Sequence, residues 1–215
     1  MRGRDIKRYG YEFANLYLLF IPWHFPLHLA KPEIKGASLE AEKAFENQYP
    51  AIYNHLLQYK KELSNRNKAE TGIRYEWYAL QRWGANYWED FSKQKIVYPE
   101  TTQGAYFALD INGVMLDKTC FMIVSSDHLE YLTTLLSSKL YEYAYKSIFS
   151  SVELGKSGYQ YNKHALIKLP IIKPNKKIEN EIINLFKNKE HNEIDTLIYK
   201  LYNLTEEEIN YINSL

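Results

Sequence analysis

The chain has 215 residues, 46% of them hydrophobic and 25% charged, with only 9 Gly and 7 Pro. That balance excludes a disordered tail and a collagen-like fibre, and the length is enough to bury a real core in one large domain or two small ones. No apolar run reaches the ~18 uncharged residues of a membrane span, and nothing after Met1 has the apolar stretch and cleavage site of a secretory leader. The lone Cys120 rules out an internal disulfide and argues against structural zinc. A soluble, cytoplasmic protein is expected.

The net charge of +1 hides an asymmetry. Residues 179–215 hold 8 acids and 3 lysines, net −5, so residues 1–178 carry a net +6. A basic body with an acidic tail suits a polyanionic partner better than the total suggests. The 20 Tyr suit broad contact surfaces as well as cores.

In chain order, the first ten residues are basic, with Arg2, Arg4, Lys7 and Arg8 against Asp5. Residues 17–21 then read as a buried strand, broken by Pro22 and Pro26. Ser38 has the character of a helix N-cap, with Glu40 and Glu42 in the first turns. Pro50 ends that helix and fits the first turn of the next, whose apolar stripe is Ile52, Leu56, Leu57 and Leu63. Residues 64–72 are polar and basic, the pattern of an exposed loop.

From Lys95 the period shortens. Ile96-Val97-Tyr98 and residues 105–109 read as strands, and Asn112-Gly113 is the strongest hairpin signal, leading to Val114-Met115-Leu116. Residues 120–124 form an apolar strand. Helices are expected at 127–137, capped by Ser126 or Asp127, and at 139–149. Tyr159 and Tyr161 flank a short extended piece. Beyond Pro170 and Pro174 the pattern is helical to the end, and Thr205 and Glu208 have capping-box spacing. The expected fold is α+β: a small, mostly antiparallel, curved sheet surrounded by helices. Its expected divisions are a body over 1–177 and a helical C-terminal appendage over 178–215.

The search for catalytic chemistry is largely negative. There is no Gly-x-Gly-x-x-Gly, no P-loop and no Gly-x-Ser-x-Gly elbow. Cys120 lies in an apolar strand, where an inert thiol is the rule. His24 and His28 are four apart, but Pro22 and Pro26 oppose the helix that would make them a metal pair. Glu89, Asp90 and Lys93 have nuclease-like types in a pattern common on any surface. No enzyme and no metal site is expected of this chain alone. Positive signals are basic and aromatic residues interleaved: Arg74-Tyr75-Glu76-Trp77-Tyr78, Gln81-Arg82-Trp83 and Asn86-Tyr87-Trp88. Such mixtures suit sugar-phosphate and base edges, though packed tryptophans are the commoner meaning for Trp77, Trp83 and Trp88. Six lysines against one acid lie between Glu153 and Lys177, beside the flexible stretch 155–161.

The order of several segments is similar to one family. Arg2-Gly3-Arg4-Asp5-Ile6-Lys7-Arg8-Tyr9 resembles the opening motif of the TaqI-like C-terminal specificity domain of adenine-specific DNA methyltransferases and fused type II restriction-modification enzymes. Trp77-Tyr78-Ala79-Leu80-Gln81-Arg82, residues 91–100, Phe107-Ala108-Leu109-Asp110, residues 117–121, Leu135-Leu136-Ser137-Ser138-Lys139-Leu140, residues 158–161, Leu169-Pro170-Ile171 and the tail pattern from Ile194 to Thr205 continue the match. Gln94 and Ser137 depart from the family's usual Pro and Asn. The resemblance implies a target-recognition domain binding double-stranded DNA. A methyltransferase catalytic domain of the same parent chain would hold S-adenosylmethionine and an Asn-Pro-Pro-Tyr motif absent here. With the motif starting directly after Met1, a recognition domain expressed apart from its catalytic part is expected, with no cofactor of its own. Phosphate contacts are expected from Arg4, Lys7, Arg8, Arg74, Arg82, Lys95, Lys156 and Lys163. Base reading is expected from Gln81, Tyr98, Glu100, Gln103, Tyr159 and Gln160, where Gln suits adenine and Glu accepts from cytosine. The alternative is a protein-interaction module that docks a catalytic or partner subunit.

Overall fold

A computed structural model describes residues 1–149, 153–154 and 158–214. In chain order the elements begin with two short strands, β1 (Ile6–Lys7) and β2 (Gly10–Tyr11), and helices α1 (Leu39–Gln48), α2 (Pro50–Leu57) and α3 (Lys60–Ser64). Strands β3 (Lys95–Pro99), β4 (Thr101–Thr102), β5 (Ala108–Asp110) and β6 (Cys120–Ile123) follow, then α4 (Leu129–Leu136) and α5 (Lys139–Ala144). Strands β7 (Glu153–Leu154) and β8 (Gly158–Gln160) precede α6 (Lys163–Leu166), α7 (Lys176–Asn188), α8 (His191–Leu201) and α9 (Glu206–Ser214). The fold is α+β, with small antiparallel sheets among helices.

The chain divides into two compact units, residues 1–16 with 89–215 and residues 17–88. The division expected at 177/178 falls elsewhere: Ile182, Ile194 and Ile198 of the tail helices are fully buried with Tyr131 and Leu135 in the main core. The acidic tail is part of the first unit's interior.

In that unit β3 is the central strand of a three-stranded sheet ordered β5-β3-β6. All five of its residues are buried, as its β-branched and aromatic sequence favours. Alternation sends Ile96 and Tyr98 into the main core with Phe107 and Tyr161, and Val97 to the opposite side with Ile6, Ala108 and Cys120. Lys95 faces Asp110 across the sheet. A second sheet, β4-β8-β7, pairs Thr101 with Gln160 and Thr102 with Tyr159.

Asn112-Gly113 makes a turn, with Gly113 at φ 68°, but not a hairpin. β5 and β6 lie on either side of β3, each antiparallel to it, and do not pair with each other. The buried Asp110 carboxylate accepts the N–H groups of Asn112 and Val114, at 3.0 and 2.8 Å. This local capture directs the chain away from its own strand. Residues 114–116 accordingly form no strand.

The tyrosine load is mainly core. Tyr98, Tyr131, Tyr141, Tyr145, Tyr159 and Tyr161 are buried together, and the hydroxyls of Tyr131, Tyr141, Tyr145, Tyr159 and Tyr161 find partners, as buried phenols tend to. Tyr145 donates to the Gln160 carbonyl at 2.8 Å and accepts from Asn162 N–H at 3.0 Å. Tyr131 donates to the Ile172 carbonyl at 2.8 Å.

In the unit of residues 17–88, Ser38 caps α1 by accepting from Ala41 N–H, and Pro50 opens α2. Phe45, Tyr53, Tyr75, Trp77 and Tyr78 form its core. Glu76 is buried there and accepts from His24 N–H, His24 Nδ1 and Ser38 N–H, fixing two loops at one carboxylate. The expected strand at 17–21 is absent: Tyr17 is 86% exposed, Leu18 and Leu19 are exposed, and only Ile21 is buried. A short apolar run needs a partner strand to be one, and here Pro22 follows at once.

Candidate nucleic-acid interface

The N-terminal segment is held in place by the sheet of its own unit. The Met1 ammonium donates to the Met115 carbonyl at 2.5 Å, and Gly3 N–H donates to Thr119 Oγ1 at 2.9 Å. Gly3 eases this approach, since a Cβ there would stand 3.2 Å from the Pro99 side chain and the Thr119 carbonyl, close enough that those neighbours would have to give by a few tenths of an ångström. Arg2 and Asp5 then brace the turn between them. Asp5 Oδ2 accepts from Arg2 N–H at 2.8 Å and Nε at 3.0 Å, while Oδ1 accepts from Nη2 at 3.0 Å. These hydrogen bonds from Arg2 hold the Asp5 carboxyl below the usual carboxylate range. With Arg2 committed, Arg4 and Lys7 are the exposed cations of the motif, and Lys7 Nζ donates back to the Arg4 carbonyl at 3.1 Å.

These cations face a concavity of about 920 Å³. Residues at and just after β3 and β4, the loop before β6 and the start of β8 supply most of the rest of its lining, including Glu100, Thr101, Gln103, Thr119 and Gly158. Glu100 is fixed through its backbone: its N–H donates to the Thr119 carbonyl at 2.9 Å and its carbonyl accepts from Tyr161 N–H at 2.8 Å. Its Oε1 accepts from Gln160 Nε2 at 2.8 Å. That contact orients the Gln160 amide. Arg2, Arg4 and Lys7 stand against Glu100 and Asp117 in the lining.

Of the expected site residues, the structure brings together Arg4, Lys7, Glu100 and Gln103, with Gln160 bonded to Glu100. Others it does not. Lys95 is fully buried with its ammonium 2.5 Å from Asp110 Oδ2, so it cannot reach a phosphate from this position. Tyr98 and Tyr159 are 4% and 3% exposed and belong to the core, which corrects their reading as base contacts. Arg8 is spent internally: it donates to the Ser137 carbonyl at 2.7 Å and to both oxygens of the buried Asp195. Lys163 is exposed in α6 but does not line the concavity. Lys156 lies outside the described residues. Arg74, Gln81 and Arg82 belong to the unit of residues 17–88. There Glu70 accepts from Arg74 at 2.8 Å and from Arg82 at 3.0 Å. The Arg82 hydrogen bond chiefly holds the Glu70 carboxyl below its ordinary range.

Thr101, Tyr106 and Thr119 also line the concavity and were not singled out from sequence. The only signal was a polar Thr101-Thr102-Gln103 run directly after an apolar strand. Trp77 is buried, while Trp83 and Trp88 are half-buried, with ring centroids 6.5 Å apart. Among the described residues, no group of three His, Cys, Asp or Glu could hold a metal ion. No helix among them is long and apolar enough to cross a membrane.

The family model of the TaqI-like C-terminal specificity domain matches residues 1–171. No curated protein matches the chain.

Proposed function

This chain belongs to the family of TaqI-like C-terminal specificity domains, and we propose that it reads the target sequence for an adenine-N6 DNA methyltransferase, with the concavity lined by Arg4, Lys7 and Glu100 as the reading surface. The family makes it a DNA sequence-specificity domain of restriction-modification systems and not a catalytic one. Methyl transfer would belong to a catalytic domain that binds S-adenosylmethionine and acts on the DNA positioned by this one.

One observation carries the reading. The concavity is lined by two exposed cations, Arg4 and Lys7, and by the Glu100 carboxylate, which in turn accepts from the Gln160 amide. Cations meet phosphates and set register without reading sequence. A carboxylate accepts from the cytosine or adenine amino group, and a glutamine amide can bond bidentately to adenine. Because Glu100 already takes one Gln160 N–H, it fixes which way the amide faces. The two side chains therefore act as one unit in reading a base pair.

Selection from a random duplex pool tests this. The wild-type chain should enrich a defined sequence. Gln160→Ala should lose preference at one position, at about 1 to 3 kcal/mol for the preferred base pair. Arg4→Ala should weaken all sequences alike. No enrichment, with no duplex binding at about 50 mM salt, would instead favour a protein-docking role.

A further inference from the structure

In the unit of residues 17–88 a separate cavity of about 490 Å³ is lined by the rings of Trp23, Trp83 and Tyr87, the imidazoles of His24 and His28, and the cations Lys31 and Arg82. Among the described residues, no Asp or Glu lines it. We propose that this cavity takes one unstacked nucleobase of a DNA strand, with the adjoining phosphate at Lys31 and Arg82. The proposal rests on the DNA-binding reading above and goes beyond it, because the concavity of the other unit reads paired bases only.

Three features select a base over another planar or apolar group. Aromatic walls stack on any nucleobase, whatever its identity. His28 Nδ1 is buried with no hydrogen-bond partner, and a base edge would supply one. Burial pushes the His28 imidazole below its ordinary range, which favours the neutral ring with one N–H and one lone pair, a match for base edges that present both. His24 is already oriented, since its Nδ1 is 2.9 Å from Glu76 Oε1 and only Nε2 is left to face a ligand. The charge also suits a nucleotide. Lys31 pairs with Glu40, but Glu70 is shared by Arg74 and Arg82, so one carboxylate stands against two guanidinium groups. That excess favours an anion beside the aromatic walls.

The test uses the full chain and three short duplexes of one sequence: fully paired, with one bulged adenosine, and with an abasic residue at the bulge. The two bulged duplexes carry the same charge, so their difference reads the base alone. The bulged adenosine should bind about 5- to 100-fold tighter than the abasic bulge, the value of one stacked base, and should quench tryptophan fluorescence. Trp83→Ala should bring that ratio towards one and leave fully paired DNA bound within about twofold. Tyr87→Ala, at a position 52% exposed, should also reduce the ratio, and serves if the tryptophan variant does not fold. Equal binding of the two bulges by the wild type, or a ratio surviving in both variants, overturns the proposal. If paired DNA binds and the ratio is one, the base pocket alone fails. If no duplex binds, the DNA-reading assignment fails with it.

Discussion

The Lys95 ammonium sits with no solvent access, 2.5 Å from Asp110 Oδ2 and 2.6 Å from the Phe91 carbonyl. Asp110 also accepts from Tyr11 Oη at 3.0 Å and from two N–H groups of the following loop. A buried pair of this kind contributes little net stability over apolar residues, but removing one partner strands the other charge. Lys95→Met should therefore cost about 3 to 5 kcal/mol, read from the urea midpoint at constant slope. Lys95→Met with Asp110→Asn should recover part of that loss, because the neutral amide no longer needs a cation. Cys120 makes a second residue-scale case. Burial pushes its thiol up to about 11, so at pH 8 it is almost wholly protonated and unreactive. Its alkylation rate should rise with pH towards about 11 in the folded chain, and jump at pH 8 when denaturant exposes it. The sign for stability follows. The unfolded thiol ionises near its ordinary value while the folded one does not, so the native state loses stability as pH rises from about 9 to about 11. Cys120 was legible as an inert strand residue from its apolar neighbours. Lys95 was not, because nothing local marks a lysine whose partner lies 15 positions along the chain.

At the scale of elements, the caps at Ser38 and Thr205 read well because their partners are near in sequence. The cap expected at Ser126 or Asp127 does not form: α4 starts at Leu129 behind a left-handed His128 with no side-chain cap. Ser38 accepts from Ala41 N–H at 3.2 Å. Thr205 and Glu208 exchange the bonds of a capping box, with Thr205 N–H to Glu208 Oε2 at 2.8 Å and Glu208 N–H to Thr205 Oγ1 at 3.3 Å. Thr205→Ala should destabilise by about 0.5 to 2 kcal/mol, whereas Thr205→Ser should be nearly neutral; thermal unfolding of the pair separates the hydroxyl from the methyl group. Gly36 carries a different requirement. Its φ is 79°, and a Cβ there would stand 2.9 Å from the Ile73 carbonyl, which already accepts Ala37 N–H. Gly36→Ala should therefore lower the melting temperature, and the Ile73 carbonyl makes the loss greater than the backbone conformation alone would cause. Elements that depend on distant partners were misread. Residues 17–21 have a strand's composition but no neighbouring strand. Asn112-Gly113 turns the chain as its residues require, yet β6 pairs with the far side of β3 and not with β5, a choice of partner that no local pattern announces.

At the scale of the whole molecule, the charge asymmetry was read correctly in sign and incompletely in structure. The net −5 tail encloses buried Ile182, Ile194 and Ile198, and its Asp195 anchors Arg8, near the chain's start. Removing residues 179–215 would thus open the main core, so a truncation cannot report on the tail's charge. Substituting the exposed acids does. Glu206, Glu207 and Glu208 lie in the first turn of α9, but Glu208 caps the helix, so Glu206→Gln with Glu207→Gln is the cleaner change. If DNA binds through Arg4, Lys7 and about two to four further phosphate contacts, log affinity should fall with log salt at a slope near −4 to −5 between about 50 and 200 mM. Lys7→Ala should flatten that slope by about one unit. Lys95→Met should weaken binding only as far as it unfolds the chain, since a buried ammonium releases no counterion from DNA. The Glu206 and Glu207 substitutions should strengthen binding slightly at low salt and leave the slope unchanged, because they remove a distant repulsion that salt screens and add no phosphate contact. Fluorescence anisotropy across that salt range measures all four chains. A slope unchanged by Lys7→Ala would remove the N-terminal cations from the interface and place the phosphate contacts elsewhere on the basic body.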